Sequence, residues 1–426
     1  MGGADVLVTN PLGVVEMEVL VDRVAGLDVH KKTVTACVRV PGEGRERVEH
    51  KQTFPTFRAD LESMRDWLAG HHVSVVVMEA TGVFWKPVWM VLEDAAGFEL
   101  KLVNARHVKQ VPGRKTDVGD AAWLARLAEV GLLRGSFVPP REIRELRDLT
   151  RYKKRLIQDR TREGQRVEKV LEDTGIKMQA VASKTLGMSG RAMLDALITG
   201  ERDPEVLADL AKGRLRERID DLVRALHGEI GAHHIEMLRL HLDHIDYLTE
   251  AIARLDGRIE EAVAPFAQAR DRLVTIPGIG PQVAETILAE CGPDMSVFPT
   301  AAHLASWAGL CPGNDESGGK HRSGKTRPGN IWLLDALTQA AWSAARTDTF
   351  LAARFRRLSR RLGKKKAIVA VAHTMIVAVW HVLANDRNYH DLGSDWYDAW
   401  DPKARTQSLI RQLEALGHHV VLQPAA

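Results

Sequence analysis

The sequence predicts a mixed α/β domain over about residues 23–140, then a long helical arm and a mainly helical C-terminal domain. Short runs of β-branched residues alternate with amphipathic stretches before Pro139-Pro140. Beyond that point, charged segments of over thirty residues lack proline and repeat leucine and isoleucine at three- and four-residue steps. A chain of 426 residues with 45% hydrophobic and 27% charged residues is typical of a multi-domain globular protein. A largely disordered or fibrous chain is excluded.

The N-terminal domain is predicted to begin after a flexible leader, residues 1–22. An apolar run at 24–29 and an alternating run at 33–40 predict paired strands, because a Pro-Gly turn follows the second run. Further elements are predicted from their periodicity: helix Phe57–Ala69, strand Val73–Met78, helix Pro87–Ala96 and strand Glu99–Val103.

The helical arm is predicted over 141–263, as a helical hairpin or coiled coil with an insert at 174–226. A C-terminal domain follows at 264–400, with a tail at 401–426. The segment Val274–Ala284 contains Pro-Gly-Ile-Gly and resembles a helix-hairpin-helix, in which Gly278 and Gly280 would present backbone N–H groups to a phosphate. An ordinary turn between packed helices explains the same pattern equally well.

Cysteine content and hydropathy bound the cellular setting. Three separated cysteines exclude a disulfide framework and a thiolate zinc site, so a reducing cytoplasm is expected. The apolar stretch at 367–384 carries His373, Thr374 and His381, which favours a buried core helix over a membrane span. No membrane association is expected.

Four carboxylates stand out by position. Asp28 lies within an apolar strand, Glu79 ends another, and Asp117 and Asp120 are three residues apart at the start of a predicted helix. Each alone is commonly a turn or capping residue. Together they match the arrangement that gathers four acids at one edge of a ribonuclease H-like sheet. Such a cluster requires cations, and its hard oxygens select Mg²⁺ or Mn²⁺, with two ions suited to phosphoryl transfer.

Several sequence strings resemble one protein family. They are GLDVHK at 26–31, EATG at 79–82, VNARHVKQVPGRKTDVGDAAWLARL at 103–127, the PGIG turn, and GLCP, ESGGK and GN within 309–330. Together they resemble the DEDD transposases, the one-hundred-and-ten family of insertion sequences, over roughly 23–385. The resemblance implies a RuvC-like domain, a coiled coil and a C-terminal transposase domain. It also implies that Asp28, Glu79, Asp117 and Asp120 bind the metal ions.

A glycine-rich loop at 309–330, here called the serine loop, carries the candidate nucleophile. On composition, Ser317 and Ser323 are ordinary loop residues. The family resemblance favours Ser317, because the catalytic serine of the family stands in a Ser-Gly shortly after GLxP. Attack by a serine on a phosphodiester would conserve its energy in a phosphoserine linkage.

Basic residues and backbone turns give the candidate nucleic-acid contacts. Basic charge is concentrated at 141–170 and 354–366, although the net charge is only +3. The predicted contacts are Lys115, Arg151, Lys153, Lys154, Arg155, Gly278, Gly280, Lys320, Arg322, Lys325 and Arg327.

We therefore predict a DNA transposase or recombinase that breaks and rejoins strands by metal-assisted phosphoryl transfer. The resemblance implies a homodimer or homotetramer and a structured non-coding guide RNA. Two alternatives are a Mg²⁺-dependent junction endonuclease that does not rejoin strands, which would not need Ser317, and a non-catalytic architectural DNA-binding protein.

Overall fold

The computed structural model describes residues 18–44, 46–95, 97–104, 108, 119–182, 184–313, 316–318, 320–321, 326, 328–397 and 402–423. The chain divides into two compact units, one ending at Val138 and the other beginning at Pro139.

The N-terminal unit is built on a mixed five-stranded sheet. Its elements are β1 Val24–Val29, β2 Thr33–Pro41, β3 Arg47–Pro55, α1 Arg58–Gly70, β4 Val75–Glu79, α2 Trp85–Glu93, β5 Glu99–Val103 and α3 Asp120–Glu129. The strand order is β3-β2-β1-β4-β5. The first three strands are antiparallel neighbours, whereas β4 pairs parallel with both β1 and β5. A mixed sheet followed by a mainly helical part was predicted from the sequence and is confirmed.

The two faces of this sheet are covered by different helices. Leu27, Met78 and other residues of one face pack with α1 and α2 in a single apolar cluster. Val24, Val75 and Val77 point to the other face, where they pack against Leu124 and Leu127 of α3. The alternation of side chains along a strand therefore assigns each strand residue to one helical layer.

Strand β3 was not predicted from the sequence. Its segment RVEHKQTFP is mostly exposed, and β3 lies at the edge of the sheet. Edge strands often carry charged residues, so their hydrophobic alternation is weak. The pairing of β3 with β2 runs over its whole length and shows that the predicted hairpin is a three-stranded meander.

The C-terminal unit is almost entirely helical. Its elements are α4 Arg141–Asp173, α5 Met178–Val181, α6 Met188–Thr199, α7 Pro204–Asp209, α8 Ile219–Leu226, α9 Ala232–Val263, α10 Ala267–Val274, α11 Pro281–Cys291, α12 Ala301–Trp307, β6 Glu316–Ser317, β7 Lys320–His321, α13 Ile331–Ala344, α14 Phe350–Leu362, α15 Lys364–Ala384 and α16 Pro402–Ala415. Short 3₁₀ segments at Gly213–Arg218 and Ala264–Phe266 precede α8 and α10.

The two longest helices, α4 and α9, pack against each other. Leu156 of α4 contacts Leu248 and Ile252 of α9 in a small apolar cluster. The buried carboxylate of Glu163 bonds His241 across the pair, with 2.9 Å between Oε2 and Nδ1. The helical-hairpin form of the prediction fits this pair, while coiled-coil packing stays a prediction. The insert helices α5 to α8 form their own core with the neighbouring parts of α4 and α9.

Helix α15 contains the apolar stretch singled out in the sequence. Among the described residues it is the one helix whose length and composition would also suit a membrane span, and half of its most apolar stretch is buried. Its buried side is lined by residues such as Val371, Met375 and Val379, and it packs against α12, α13 and α14. This packing fits the interpretation of α15 as a core helix.

Candidate catalytic residues and nucleic-acid contacts

Asp28 and Glu79 lie side by side at the carboxyl ends of two neighbouring parallel strands. The register pairs Leu27 of β1 with Met78 of β4, and the two acids are the next residues on each strand. Since Gly26 and Val77 face α3, their second neighbours Asp28 and Glu79 project from the same face. Two carboxylates thus share one edge and one face of the sheet. Both residues are partly exposed.

Helix α3 approaches this face through a glycine. A Cβ on Gly26 would lie 2.1 Å from the backbone oxygen of Ala121 and 2.5 Å from the backbone nitrogen of Ala125. Only a residue without a side chain permits so close an approach between strand and helix. Ala121 is the second residue of α3, so the first turn of the helix, which includes Asp120, lies on the face that carries Asp28.

Asp120 is the first residue of α3 and is exposed. The prediction that Asp117 shares this helical face concerns a residue outside the described part of the chain, as does the predicted contact Lys115. Among the described residues, no group of three His, Cys, Asp or Glu side chains is close enough to hold a metal ion together. The role of the four carboxylates therefore stays a prediction, and three of them are described.

The turn after Glu79 explains the EATG string. The N–H of Ala80 bonds the Val103 oxygen at 2.9 Å, and the N–H of Thr81 turns back to the Glu79 oxygen at 2.8 Å. Gly82 follows with a φ of 53°, a conformation that glycine adopts at little cost. The chain can thus leave the sheet directly after the carboxylate and begin α2 at Trp85.

His30 is a neighbour of Asp28 that the sequence analysis did not single out. Its Nε2 lies 3.1 Å from Oδ2 of Asp28, and its side chain is largely exposed. The residue belongs to the GLDVHK string, which was the signal available in the sequence. A histidine in this position can hold the carboxylate in one orientation through this hydrogen bond.

The glycine-rich loop is closed at its base. A Cβ on Gly329 would lie 2.3 Å from the backbone nitrogen of Gly309, so the two ends of the loop are in direct contact. The N–H of Asn330 bonds the Trp307 oxygen at 3.2 Å, and an isolated bridge pairs Pro312 with Thr326. The described residues between the two glycines therefore include backbone pairs that link the two halves of the loop.

Ser317 lies in the two-stranded ribbon formed by β6 and β7. Its backbone pairs with that of Lys320, and Gly318 has a φ of 57° that suits a tight turn. The side chains of Ser317 and Lys320 lie outside the description, as do Ser323, Arg322, Lys325 and Arg327. The predicted nucleophile is thus placed by its backbone at a turn, and its role stays a prediction.

A buried carboxylate that sequence reasoning missed holds the end of the loop. Glu290 of α11 is completely buried, and Arg151 of α4 donates two hydrogen bonds of 2.7 Å to its two oxygens. The side-chain amide of Asn330 donates to Oε2 of Glu290 at 2.6 Å. Its oxygen caps α13 by accepting from the N–H groups of Trp332 and Leu333. Glu290 therefore joins α4, α11 and the residue that ends the serine loop.

Arg147 completes this cluster. Its Nε lies 3.4 Å from Oε2 of Glu290 and also donates to the Ala289 oxygen at 3.0 Å. Burial lowers the pKa of Arg147, and the negative charge of Glu290 opposes that effect. The sequence signal was weak: an acid within the apolar helix TILAEC, and an Asn at the last position of the loop.

The four predicted basic contacts of α4 have neighbours inside their own unit. Arg151 pairs with Glu290, Lys153 is buried and pairs with Asp256, and Lys154 lies 3.0 Å from Asp335. Arg151 and Arg155 lie over the ring of Trp332 at 5.5 and 5.8 Å. Arg155 is the exposed member of the four. Binding of phosphate by these residues stays a prediction, and three of the four already contact carboxylates.

The PGIG turn lies between α10 and α11. Gly278 has a φ of 88°, and a Cβ there would lie 2.3 Å from the Ala340 oxygen of α13. Gly280 directly precedes Pro281, the first residue of α11. Gly278 thus has a packing role, as the alternative interpretation of the motif expected. Phosphate binding by a helix-hairpin-helix stays a prediction.

Two cysteines are unsuited to nucleophilic chemistry. Burial raises the pKa of the Cys37 thiol to about 11 and that of Cys291 to about 12, with the charges of Glu49 and Glu290 adding to the respective effects. The thiolate is the nucleophilic form of cysteine, so neither residue would react appreciably at neutral pH.

The class of protein follows from comparison with known families. Residues 25–176 match the DEDD transposase domain of IS110-type elements, and residues 270–356 match a second domain described as "Transposase IS116/IS110/IS902 family". The first match begins in β1 and contains Asp28, Glu79, Asp117 and Asp120. The second contains the serine loop. The chain is therefore a transposase, an enzyme that transfers DNA strands.

Similar proteins support this over most of the chain. A probable family 20 transposase of Pseudomonas aeruginosa is 27% identical over 76% of this chain and 88% of its own length. The transposase for insertion sequence element IS1111A of Coxiella burnetii is 27% identical over 76% of this chain and 81% of its own. The pilin gene-inverting protein of Moraxella bovis is 38% identical over 18% of this chain and 24% of its own. The chain belongs to the IS110 family of insertion-sequence transposases.

Proposed function

We propose that this transposase breaks and rejoins DNA strands by metal-assisted phosphoryl transfer on a ribonuclease H/RuvC-like sheet. The observation that carries the proposal is the β1/β4 register, which sets Asp28 beside Glu79 on the face covered by α3. The strand order β3-β2-β1-β4-β5 with one antiparallel meander is the arrangement expected of that fold. It brings acids from distant parts of the chain to one edge.

The donor set of this edge suits a hard divalent cation. Asp28, Glu79 and Asp120 offer carboxylate oxygens, which Mg²⁺ and Mn²⁺ prefer over nitrogen or sulfur ligands. Asp117 would complete the set. When bound, such ions stabilise the charge that develops on the attacking and leaving oxygens of a phosphodiester. The chain's own contribution is to hold Asp28 and Glu79 at the ends of two strands and Asp120 on the first turn of α3, so that they need little reorganisation to bind.

Ser317 is the proposed nucleophile. Its Oγ would attack the phosphorus, forming an O–P bond while the bond to the adjoining nucleotide oxygen breaks. The serine proton is lost, and the departing strand gains a hydroxyl. Attack of a strand hydroxyl on the phosphoserine would reverse these steps and release the serine, so strands are rejoined without ATP. The closed base of the loop supports this role, because a nucleophile must be held in place to react efficiently.

DNA is the substrate that family membership implies. We further propose that the transposase acts in the cytoplasm as a homodimer or homotetramer and uses a structured non-coding RNA to specify its sites. The oligomeric state and the guide RNA rest on the resemblance to the family, and the cytoplasmic setting rests on the three separated cysteines.

The test compares Ser317→Ala with Ser323→Ala in the full-length protein. Each variant is incubated with Mg²⁺, the transcript of the flanking non-coding region and end-labelled junction DNA from its own element. Label that migrates with denatured protein then measures the covalent adduct. We expect the adduct with the wild-type protein and Ser323→Ala, and none with Ser317→Ala.

Parallel samples isolate the contribution of the carboxylates. Asp28→Asn, and wild-type protein in EDTA, should both lack the adduct. An adduct that persists in Ser317→Ala would overturn the serine assignment. Strand cleavage without any adduct in the wild-type protein would instead favour the junction endonuclease. Adduct formation that is unchanged in EDTA would contradict metal assistance.

A further inference from the structure

A cleft lies within the insert between α4 and α9. Helices α5 and α6, the 3₁₀ segment Gly213–Arg218 and the loop residues next to them surround a space of about 560 Å³. Its described lining falls in two stretches, 181–190 and 212–218. Both stretches lie outside the regions matched by the two transposase domains, which end at residue 176 and resume at residue 270. The known domains therefore assign nothing to this cleft.

The lining of the cleft is basic. Its described residues include four cations and no acid, and the cations are Lys184, Lys212, Arg214 and Arg218. All four are exposed. Arg218 pairs with Asp221 at 3.1 Å, whereas the other three have no ion-pair partner among the described residues. Cations brought together without neutralising acids attract an anion, because each of them is repelled by its neighbours.

Hydrogen bonds between the two lining stretches fix the shape of the cleft. The N–H of Lys212 bonds Oγ of Ser189 at 2.9 Å, and Nη1 of Arg218 donates to the Val181 oxygen at 2.9 Å. A Cβ on Gly190 would lie only 2.0 Å from the Thr185 oxygen, so the first turn of α6 packs tightly on the preceding turn. Both lining stretches are also packed on the apolar core of the insert, through residues such as Val181 and Leu215. A shape fixed in this way needs little ordering when it binds.

We propose that this cleft binds the phosphodiester backbone of nucleic acid. Lysine and arginine side chains are the usual partners of backbone phosphates, and such contacts position a nucleic acid without reading its bases. The space is large enough for a phosphate and its sugar. The proposal rests on the proposed function only for the class of ligand, which is nucleic acid. It makes the insert a site that binds nucleic acid separately from the predicted catalytic residues.

The test measures equilibrium binding to the full-length protein in EDTA, where strand chemistry is not required. The variant combines Lys184→Gln, Lys212→Gln and Arg214→Gln, which keep a polar side chain at each position and remove three charges. Its control combines Arg224→Gln, Arg239→Gln and Arg254→Gln, exposed arginines of α8 and α9 that do not line the cleft. The probes are a random-sequence DNA duplex and the transcript of the flanking non-coding region.

Neutralising the cleft should weaken binding of at least one probe roughly tenfold or more. It should also lower the slope of log Kd against log salt concentration by about 3. The control should change both values by much less. Loss with the duplex alone assigns the cleft to DNA, loss with the transcript alone assigns it to RNA, and loss with both assigns a shared backbone site. Unchanged binding of both probes, or an equal loss in the control, would overturn the proposal. Because EDTA binding does not need Ser317 or Asp28, failure here leaves the proposed chemistry intact.

Discussion

At the scale of single residues, Glu290 is the clearest case of a side chain whose importance only its surroundings reveal. A fully buried carboxylate is stable only when its charge is compensated, and here Arg147 and Arg151 provide that compensation. The side-chain NH₂ of Asn330 donates a hydrogen bond to Glu290, and its side-chain oxygen accepts one from the N-terminus of α13. One side chain therefore pairs with both the buried carboxylate and the start of the helix. The same cluster holds Asn330, the last residue of the serine loop, in place.

Replacing Glu290 with Gln should destabilise the C-terminal unit by about 3 kcal/mol. The reason is that two guanidinium groups would be left beside a neutral acceptor in a buried position. Urea unfolding followed by circular dichroism measures the change. The matched control is Glu260→Gln, which removes a partly exposed ion pair with Arg270 and should cost less than about 1 kcal/mol. An equal loss of stability in both variants would contradict the special role of the buried cluster.

At the scale of elements, the contact between β1 and α3 sets the first turn of α3 on the face of the sheet that carries Asp28. The helix brings Ala121 and Ala125 against Gly26 of β1, and Ala122 packs with Cys37 of β2. At the other end of α3, Glu129 is buried and accepts hydrogen bonds from Arg39 of β2 at 3.0 Å and from Arg47 of β3 at 2.5 Å. Small residues at one end and charge pairing at the other thus fix the helix on the face that carries Asp28.

Replacing Gly26 with Ala tests this contact. The new methyl group would overlap the Ala121 oxygen, so α3 must move or the strand must distort, and we expect a loss of about 1–3 kcal/mol in unfolding free energy. The control is Gly70→Ala at the end of α1, where a Cβ would meet no atom within 4 Å. Chemical denaturation of both variants provides the comparison. A Gly26→Ala protein as stable as its control would show that the close approach is not required.

At the scale of the whole molecule, the distribution of charge matters more than its sum. The net charge is only +3, from 59 basic and 56 acidic residues. Helix α14 and the start of α15 nevertheless expose a continuous basic run, and its members include Arg360, Arg361, Lys364 and Lys365. Electrostatic attraction of a polyanion depends on such local fields rather than on the total.

Changing Arg360, Arg361, Lys364 and Lys365 together to Gln should weaken binding to random-sequence duplex DNA at low salt. It should also reduce the salt dependence of binding, since fewer counterions are released. Fluorescence anisotropy over a salt series in EDTA gives both quantities. As a control, Arg224, Arg239, Arg254 and Arg258 of α8 and α9 are changed to Gln. If the control loses as much affinity as the variant, net charge rather than the basic run governs binding.

The sequence by itself determined the family, the class of fold and the order of its parts. Local signals suffice for these, because a motif such as KTDVGDA or a helical period is written in consecutive residues. Strand β3 was not predicted because most of its residues are exposed, so hydrophobic and polar residues do not alternate along it. Asp117, Ser317 and the metal ions remain predictions from the family pattern.

Only the tertiary structure decided which distant residues meet. The β1/β4 register sets Asp28 beside Glu79, and a packing contact across 139 positions brings Arg151 to Glu290. The cations of the insert cleft come from two segments separated by two helices. Register and helix packing follow from which faces are buried against one another, and that is a property of the folded chain as a whole rather than of any local stretch of it.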